Sequence, residues 1–336
     1  MKTRIHQNKR QSEERTLMKL SIIIPVYNLE KHIATTLESL LAIHFSFDYE
    51  IIVVNDGSTD ESEAVIRDYQ QKFTPIILYT IENQGVSNAR NVGISKATGE
   101  YITFVDGDDT VEPDFFEKAI LELDTGGYDF IQGNYRIVDG DNTSYIQFVP
   151  EDIVITEKDK MLEKMFGVDK LIHNTVWGKV YRAEIIKSIF FDRTLKIAED
   201  QKYIFDVIKK SKKIKLLSGV GYNYFQRNTS AMHDANINKD IDKLKVISYF
   251  KKHINNNNAL LNIERHELIT LLNMYATIAL NGGDNRECYQ RICALKIKPI
   301  WADLSNKTRL KLFLIKRVRF IYDLILRKRC KNPNGK

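Results

Sequence analysis

The chain has 336 residues, enough for one large domain or for a domain with a helical appendage. Its hydrophobic share of 43% is ordinary for a globular protein, and it contains no run of eighteen apolar residues that would span a bilayer. The net charge of +6 is unevenly spread: residues 1–19 carry +4, residues 307–336 carry +10, and the rest carries −8. An acidic body with basic ends argues against a uniformly basic nucleic-acid-binding surface and favours attraction of the ends to an anionic surface.

The compartment is predicted from the N-terminal segment and the cysteines. Residues 1–19 have basic side chains but no apolar stretch of the kind found in secretory signals. The three cysteines are Cys288, Cys293 and Cys330, an odd number late in the chain that indicates neither a disulfide framework nor a metal cluster. We therefore expect a cytoplasmic protein.

The first part of the chain alternates between strands and helices. The predicted strands cover residues 20–27, 50–56, 75–81 and 100–106. The predicted helices cover residues 30–42, the segment from about 58 to 71, residues 85–97, and a segment beginning at Pro113. Such alternation predicts an α/β fold with a parallel, Rossmann-like sheet and right-handed crossovers.

The regular alternation weakens after Asp109. The predicted strands here are residues 128–134, 175–181 and 215–225, and the predicted helices are residues 157–166 and 199–210. Residues 137–155 contain turn signals and predict an excursion from the sheet. Beyond about residue 238 the pattern is helical, so we place a domain or subdomain boundary near residues 235–240.

Polar and acidic residues follow three of the predicted strands. Tyr27 and Asn28 end the first strand, Asp56 ends the second, and the segment Asp106-Gly107-Asp108-Asp109 ends the fourth. Ligands of open parallel sheets bind at the carboxyl ends of the strands. A single Asp there is as consistent with a turn as with a site. Clustered carboxylates, however, repel one another unless a cation is present, and hard oxygen ligands suit Mg²⁺ or Mn²⁺.

Three segments carry a resemblance to a known family. They are SIIIPVYN, VVNDGSTD and NQGVSNARNVGISKATGEYITFVDGDD, and they occur in the order and spacing of the family 2 glycosyltransferases, with the likeness extending over roughly residues 20–235. The resemblance implies a GT-A fold and transfer of a sugar from a nucleotide donor with inversion. It also implies a catalytic domain over residues 20–237, with a nucleotide-binding half (20–110) and an acceptor half (111–237). A basic extension (1–19) precedes this domain, and a helical region with a basic amphipathic tail (238–336) follows it.

The resemblance also implies a role for each matching donor-site residue. Asp56 hydrogen-bonds the uracil of a UDP donor, Tyr27 lines the base pocket beside Asn28, and Arg90 faces the base. Asp106 and Asp108 form the Asp-x-Asp pair, in which Asp106 faces the ribose and phosphate while Asp108 binds the metal, Mn²⁺ or Mg²⁺, that holds the diphosphate. A divalent cation stabilises the charge that develops on the leaving diphosphate.

The acceptor side is implied by three later segments. In KIAEDQKYIF, Asp200 matches the family's general base, with Glu199 beside it on the acceptor side. In NTVWGKVYR, Trp177 matches a residue near the acceptor, although core packing is an equal explanation. In YNYFQRNTSAMH, Arg227 matches a loop that closes over the diphosphate, and His233 is a candidate metal ligand although a lone His is more often structural.

The basic tail adds a partner. Leu310, Phe313 and Leu314 begin an apolar helical stripe that basic residues flank, which favours contact with an anionic membrane over a helix docked on the protein. We therefore expect an inverting glycosyltransferase of bacterial surface-polysaccharide synthesis, peripheral on the inner face of the cell membrane, acting on a glycan or polyprenyl-linked acceptor and not on nucleic acid.

Two other functions remain open at this point. One is a non-catalytic sugar-nucleotide-binding or scaffold protein with a relic site, against which the intact acidic residues speak. The other is a nucleotidyltransferase, which would want a glycine-rich phosphate loop after the first strand, where this chain has PVYNLEKH.

Overall fold

The structure is a computed structural model that describes residues 18–140, 142–146, 149–167, 169–226, 237–281 and 283–317. The strands are β1 (Leu20–Val26), β2 (Tyr49–Asp56), β3 (Ile76–Ile81), β4 (Tyr101–Phe104), β5 (Thr110–Val111), β6 (Phe130–Asp139), β7 (Asn142–Ile146), β8 (Ile153–Ile155), β9 (Lys179–Arg182) and β10 (Ile214–Phe225). The helices are α1 (Ile33–Leu41), α2 (Ser62–Lys72), α3 (Val86–Lys96), α4 (Pro113–Gly126), α5 (Lys158–Phe166), α6 (Ala183–Ile186), α7 (Glu199–Lys210), α8 (Ile237–His253), α9 (Asn257–Leu280) and α10 (Arg286–Ala294). A 3₁₀ turn, Lys298–Asp303, and a helix over residues 306–317 complete the described chain.

These strands form one mixed sheet in the order β3-β2-β1-β4-β9-β6-β10-β5, with β7 beside β6 and β8 beside β10. Strands β1 to β4 are parallel, as the alternation predicts. Strand β9 runs antiparallel to both β4 and β6, so it joins the parallel half to the second half of the sheet. The predicted α/β fold with GT-A-like layering and C-terminal helices is confirmed, and the antiparallel strands come from the part of the chain where the alternation weakens.

Helices cover both faces of the sheet because the central strands are apolar on both sides. Ile22 and Ile24 contact the layer of α1, α2 and α4, whereas Ile23 contacts the layer that contains α3, α5 and α7. The C-terminal helices extend this second layer. Phe250 of α8 packs against Phe166 of α5 at 5.0 Å between ring centroids, so the C-terminal region shares the core of the α/β domain.

Two predicted elements differ from the observed ones. The excursion at 137–155 is largely strand, because β6 continues to Asp139 and pairs with β7 as an antiparallel hairpin. The strand predicted from residue 175 begins at Lys179, since the preceding residues form a loop that ends at Gly178 with φ +67°. In the described parts of the chain, we find no helix whose length and apolar character would carry it across a membrane.

Candidate active site

The loops that follow β1 and β2 are joined by Asn28. Its backbone lies in the left-handed region, with φ +53°, a conformation that Asn tolerates better than most residues. Its side-chain Oδ1 accepts a hydrogen bond of 2.8 Å from the backbone N–H of Thr59, and its own N–H donates to Ser58 Oγ at 3.0 Å. Tyr27, next to it, exposes 48% of its surface. The two strand ends therefore form one rim that presents an exposed aromatic ring.

Asp56 ends β2 and is buried. Its carboxylate accepts hydrogen bonds from the backbone N–H groups of Gln84 at 2.9 Å and Gly85 at 2.8 Å, so it fixes the turn that leads into α3. Gly85 has φ +90°, which a residue with a side chain rarely adopts. Because a carboxylate offers about four lone-pair positions, Asp56 retains acceptor capacity beyond these two bonds.

Arg90 of α3 joins the two halves of the site. Its Nη2 donates to Asp106 Oδ1 at 2.9 Å, and its Nη1 donates to Asp200 Oδ1 at 2.6 Å and lies 3.4 Å from Glu199 Oε1. Only 4% of the arginine side chain is exposed. The resemblance implies that Arg90 faces the donor base, but here its guanidinium is directed at carboxylates. This one buried cation therefore holds Asp106, at the end of β4, beside Glu199 and Asp200 at the start of α7.

The electrostatics of this cluster favour a carboxyl group that titrates near neutrality. Burial raises the pKa of Asp200 to about 7; Arg90 opposes this rise, and the negative charges of Glu199 and Asp106 add to it. Burial opposes the charge of Arg90, yet the three carboxylates raise its pKa above the ordinary value, so it stays a cation. A carboxyl group with a pKa near the working pH suits general-base chemistry.

Asp109 is buried directly after the Asp-x-Asp pair. The sequence analysis assigns it no role. Its Oδ2 accepts a hydrogen bond of 2.8 Å from the Tyr222 hydroxyl, and its Oδ1 accepts one of 2.8 Å from the backbone N–H of Phe225. The same hydroxyl accepts the backbone N–H of Asp106 at 3.0 Å. Burial, together with the charges of Asp106 and Asp108, raises the pKa of Asp109 to about 8. The sequence signal was the third carboxylate in the segment DGDD, but Tyr222 gives no signal because it lies in an ordinary strand.

Trp177 belongs to an aromatic stack rather than to an open surface. Its ring lies 4.3 Å from that of Tyr222 with an interplanar angle of 9°, and 5.8 Å from that of Tyr224. Tyr135 meets the indole edge-on at 4.9 Å. Since only 5% of Trp177 is exposed, it acts on the site through Tyr222 and offers an acceptor little surface.

A buried lysine supports the loop that precedes β9. Lys179 Nζ donates to the backbone carbonyls of Thr175 at 2.7 Å and His173 at 3.0 Å, and contacts His173 Nδ1 at 2.7 Å. Burial holds the pKa of Lys179 well below its ordinary value, although Asp200 opposes the shift. The loop that Lys179 stabilises also supplies the backbone N–H of Val176 as a hydrogen-bond donor to Asp200. The sequence did not distinguish this lysine from the surface lysines.

The donor set determines how a divalent metal would fit. In the ranges that the structure describes, no three His, Cys, Asp or Glu side chains form a metal cage. Asp106 is bound by Arg90, and Asp109 by Tyr222 and Phe225. A carboxylate at Asp108 still fits Mg²⁺ or Mn²⁺, because such ions are commonly held by one or two carboxylates together with substrate phosphates. The candidate residues Arg227 and His233 lie outside the described residues.

The predicted site residues thus fall into two groups. One group forms the rim and wall of the donor side, namely Tyr27, Asn28, Asp56, Asp106 and Asp108. The other group meets at Arg90 and comprises Glu199 and Asp200, which open α7 directly after Ala198. Ala198 has φ +62°, and strained backbone of this kind in a residue with a side chain clusters at functional sites.

The model of a protein family named "Glycosyl transferase family 2" matches residues 21–190 of the chain, which include the strand ends and Arg90. Among curated proteins, the uncharacterized glycosyltransferase EpsJ of Bacillus subtilis (strain 168) is 33% identical over 218 residues, which is 63% of this chain and 62% of EpsJ. The poly(ribitol-phosphate) beta-N-acetylglucosaminyltransferase TarS of Staphylococcus aureus (strain Mu50 / ATCC 700699) is 30% identical over 212 residues, which is 62% of this chain and 35% of TarS. The matched region thus spans less than two thirds of either relative.

A solved structure supports the fold. The crystal structure of S. aureus TarS residues 1–349 in complex with UDP-GlcNAc superposes with a TM-score of 0.61 at 20% identity, covering 94% of this chain and 92% of that one. The coverage extends beyond the family match, so the likeness of fold includes helices after residue 237.

Proposed function

Because the chain belongs to glycosyl transferase family 2, we propose that it is an inverting glycosyltransferase that uses a nucleotide-sugar donor, a UDP-sugar, in the synthesis of a bacterial cell-surface polysaccharide. The acceptor is a hydroxyl of a glycan or of a lipid-linked saccharide. The observation that carries the proposal is the double engagement of Arg90, which holds Asp106 at the donor edge and Asp200 at the start of α7 on one guanidinium.

The donor binds along the rim of the parallel half of the sheet. Tyr27 offers an exposed ring for the base, and Asp56 accepts a hydrogen bond from the uracil N–H with its remaining lone pairs. Asp106 faces the ribose and phosphate, and Asp108 would hold a divalent cation. When bound, the cation stabilises the negative charge on the leaving UDP.

The reaction is a single displacement. The acceptor hydroxyl oxygen forms a bond to the anomeric carbon as the bond between that carbon and the diphosphate oxygen breaks, and UDP leaves with the electron pair. Asp200 takes the hydroxyl proton, which its pKa near neutrality permits once it is ionised. Arg90 acts as a positioning residue in this scheme, because its contacts are with Asp106 and Asp200 rather than with the reacting atoms.

The end of the chain is proposed to contact the inner face of the cell membrane. In the helix over residues 306–317, Leu312 and Ile315 are buried in the core, whereas Leu310 and Phe313 are exposed by 58% and 56%. Trp301, exposed by 43%, precedes them in the 3₁₀ turn. Exposed apolar side chains at the start of the basic segment 307–336, which carries +10, fit an anionic lipid surface.

The activity is tested by incubating the full chain with a panel of UDP-sugars and other nucleotide-sugars in Mn²⁺ or Mg²⁺ and measuring nucleotide release. We expect turnover of at least one UDP-sugar and its loss in Asp200→Asn. If the protein binds UDP but releases no nucleotide from any donor, with or without glycan acceptors, it is a non-catalytic sugar-nucleotide-binding protein instead.

A further inference from the structure

The Asp-x-Asp segment is a tight turn whose two ends are bound by one side chain. The backbone N–H of Asp109 donates to the carbonyl of Asp106 at 3.1 Å, which is the bond that closes a four-residue β-turn. The hydroxyl of Tyr222 accepts the backbone N–H of Asp106 at 3.0 Å and donates to Asp109 Oδ2 at 2.8 Å. Because a tyrosine hydroxyl can donate one bond while it accepts another, this single group holds the first and the last residue of the turn.

The other side of the turn is closed by the end of β1. A Cβ added at Gly107 would lie 2.9 Å from Leu29 Cδ1 and 3.3 Å from the Pro25 carbonyl oxygen, so the turn is already packed against this strand end. Tyr222 is buried, and its ring stacks on Trp177 at 4.3 Å, so the ring is held in place as well. The hydroxyl therefore fixes the position of the turn between the end of β1 and the aromatic stack.

An irregularity in β10 directly precedes Tyr222. Val220 pairs with Asn134 whereas Tyr222 pairs with Tyr135, so β10 has one residue more than β6 over this step. The extra residue is Gly221, where an added Cβ would lie 2.6 Å from an aromatic ring of α4. A β-bulge changes the direction of the side chains that follow it, and bulges are over-represented beside active sites. The deviation from a regular strand thus lies next to the side chain that binds the turn.

We propose that Tyr222 is a positioning residue for donor binding, whose hydroxyl keeps the turn in the conformation in which Asp106 and Asp108 meet the nucleotide-sugar. It acts through the backbone of Asp106 and the carboxylate of Asp109, and not by contact with the reacting atoms. The inference rests on the proposed function, since that function makes this turn the donor edge. Without the hydroxyl, a backbone N–H and a carboxylate oxygen lose their partner, and the turn shifts to recover hydrogen bonds elsewhere.

Tyr222→Phe tests the inference, because it removes one oxygen and keeps the ring that stacks on Trp177. Calorimetry on the full chain with UDP and Mn²⁺ should show binding that is about tenfold weaker than in the wild type, as expected when polar groups of the site lose their partner. Tyr224→Phe removes a hydroxyl from the same aromatic stack, two residues further along β10, and as the matched control should bind UDP normally. Urea unfolding verifies that each variant is folded under the conditions of the titration.

The same measurements identify a purely structural role. If Tyr222→Phe loses free energy of unfolding but binds UDP as the wild type does, the hydroxyl only stabilises the fold and the inference is overturned. Asp109→Asn changes the other partner of the same bond and carries the test if Tyr222→Phe does not fold, since it should also weaken UDP binding. Because either change breaks the one bridge, the two losses of affinity should not add in the double variant. Additive losses would mean that Tyr222 and Asp109 act separately.

The outcomes for this inference and for the proposed function are distinct. Weaker UDP binding by Tyr222→Phe, in a chain that releases no nucleotide from any donor, supports this inference and contradicts the proposed function. Equal UDP affinity of the wild type and Tyr222→Phe, in a chain that turns over a nucleotide-sugar, contradicts this inference alone. A wild type that binds no UDP contradicts both.

Discussion

Arg90 donates a hydrogen bond of 2.6 Å to Asp200, 110 positions further along the chain. The same guanidinium binds Asp106 at 2.9 Å. A change at any one of the three side chains therefore alters the charge environment of the other two. In the proposed reaction, this arrangement couples the protonation of the base, Asp200, to the charge of Asp106 at the edge of the sheet where the donor binds.

Replacement of Asp200 by Asn should abolish most of the turnover without abolishing donor binding. The amide keeps the shape of the side chain but cannot accept the proton of the acceptor hydroxyl, and loss of general-base catalysis typically costs about 10²–10⁴-fold in rate. Nucleotide release measures the rate and calorimetry measures UDP affinity. Asp206→Asn on the same helix is the control, and near-normal transfer by Asp200→Asn would rule out the base assignment.

The pH dependence of turnover should report the environment of Asp200. Burial raises its pKa to about 7, so the rate should fall as the pH drops below that value and the base becomes protonated. Arg90 opposes the rise, so Arg90→Gln should move the midpoint to higher pH, and Arg90→Lys should move it less. Rates measured between about pH 5.5 and 9, with circular dichroism to verify folding, decide the point. An unchanged midpoint in Arg90→Gln would contradict the coupling.

Asp109 should contribute stability that falls as the pH rises, whereas the buried His173 and His266, whose pKa values are lowered, contribute in the opposite direction. Burial and the neighbouring carboxylates raise the folded-state pKa of Asp109 to about 8, against about 3.9 in an unfolded chain, so the folded state binds more protons between these values. The stabilisation is complete below about pH 4 and is lost as the pH rises through about 8, at up to about 1.4 kcal/mol per pH unit. From about pH 5 to 8, the advantage in unfolding free energy that wild type has over Asp109→Asn, measured in urea, should therefore shrink. If the unfolding free energies of the two proteins changed with pH in parallel, this contribution of Asp109 would be contradicted.

Local patterns in the sequence were sufficient to predict the parallel half of the sheet. The apolar runs that form β1 and β2 are buried on both faces, and the polar residues at their ends mark the rim where Asn28 and Asp56 lie. The start of α7 at Glu199 was likewise predicted, because two acidic residues open an amphipathic segment. These signals are local in the chain, so they can be read without knowing which elements meet.

The parts that could not be predicted depend on contacts between distant residues. Nothing around Arg90 indicates that its partners are Asp106 and Asp200, and nothing around Tyr222 indicates that its hydroxyl joins Asp106 to Asp109. The sequence predicts that Leu310 and Phe313 lie on one apolar face of a helix. In the structure Leu310 and Phe313 are exposed, but Leu314, which belongs to the same stripe, is partly buried against the core beside the buried Leu312 and Ile315.

Metal dependence should follow Asp108. In the proposed site its carboxylate would hold the cation that offsets the charge of the diphosphate, so Asp108→Ala should weaken UDP binding in Mn²⁺ or Mg²⁺ and remove most of the difference that EDTA makes in the wild type. Asp48→Ala, which changes an exposed carboxylate at the opposite end of β2 from Asp56, is the matched control. Calorimetry with and without EDTA gives both affinities. If the wild type binds UDP equally well in EDTA, the metal has no part in donor binding.

Membrane contact should depend on two exposed side chains and on salt. Leu310 and Phe313 project from a helix whose buried face docks on the core, so Leu310→Ser with Phe313→Ser removes apolar surface without disturbing packing. We expect the wild type to co-sediment with anionic vesicles at low salt and to detach as salt rises, because each nearby Lys or Arg contributes about 1 kcal/mol and screening shortens its reach. The double variant should sediment less and still bind UDP.

The two tryptophans provide an internal control for the same experiment. Trp301 is 43% exposed and lies near the proposed contact, whereas Trp177 is buried in the aromatic stack. Fluorescence of the wild type should therefore shift to shorter wavelength on anionic vesicles, and Trp301→Phe should lose the shift while still sedimenting, because an indole emits at shorter wavelength as its surroundings become apolar. Neutral vesicles should give neither effect. Equal sedimentation of the double variant and the wild type would mean that Leu310 and Phe313 are only an exposed part of a docked helix.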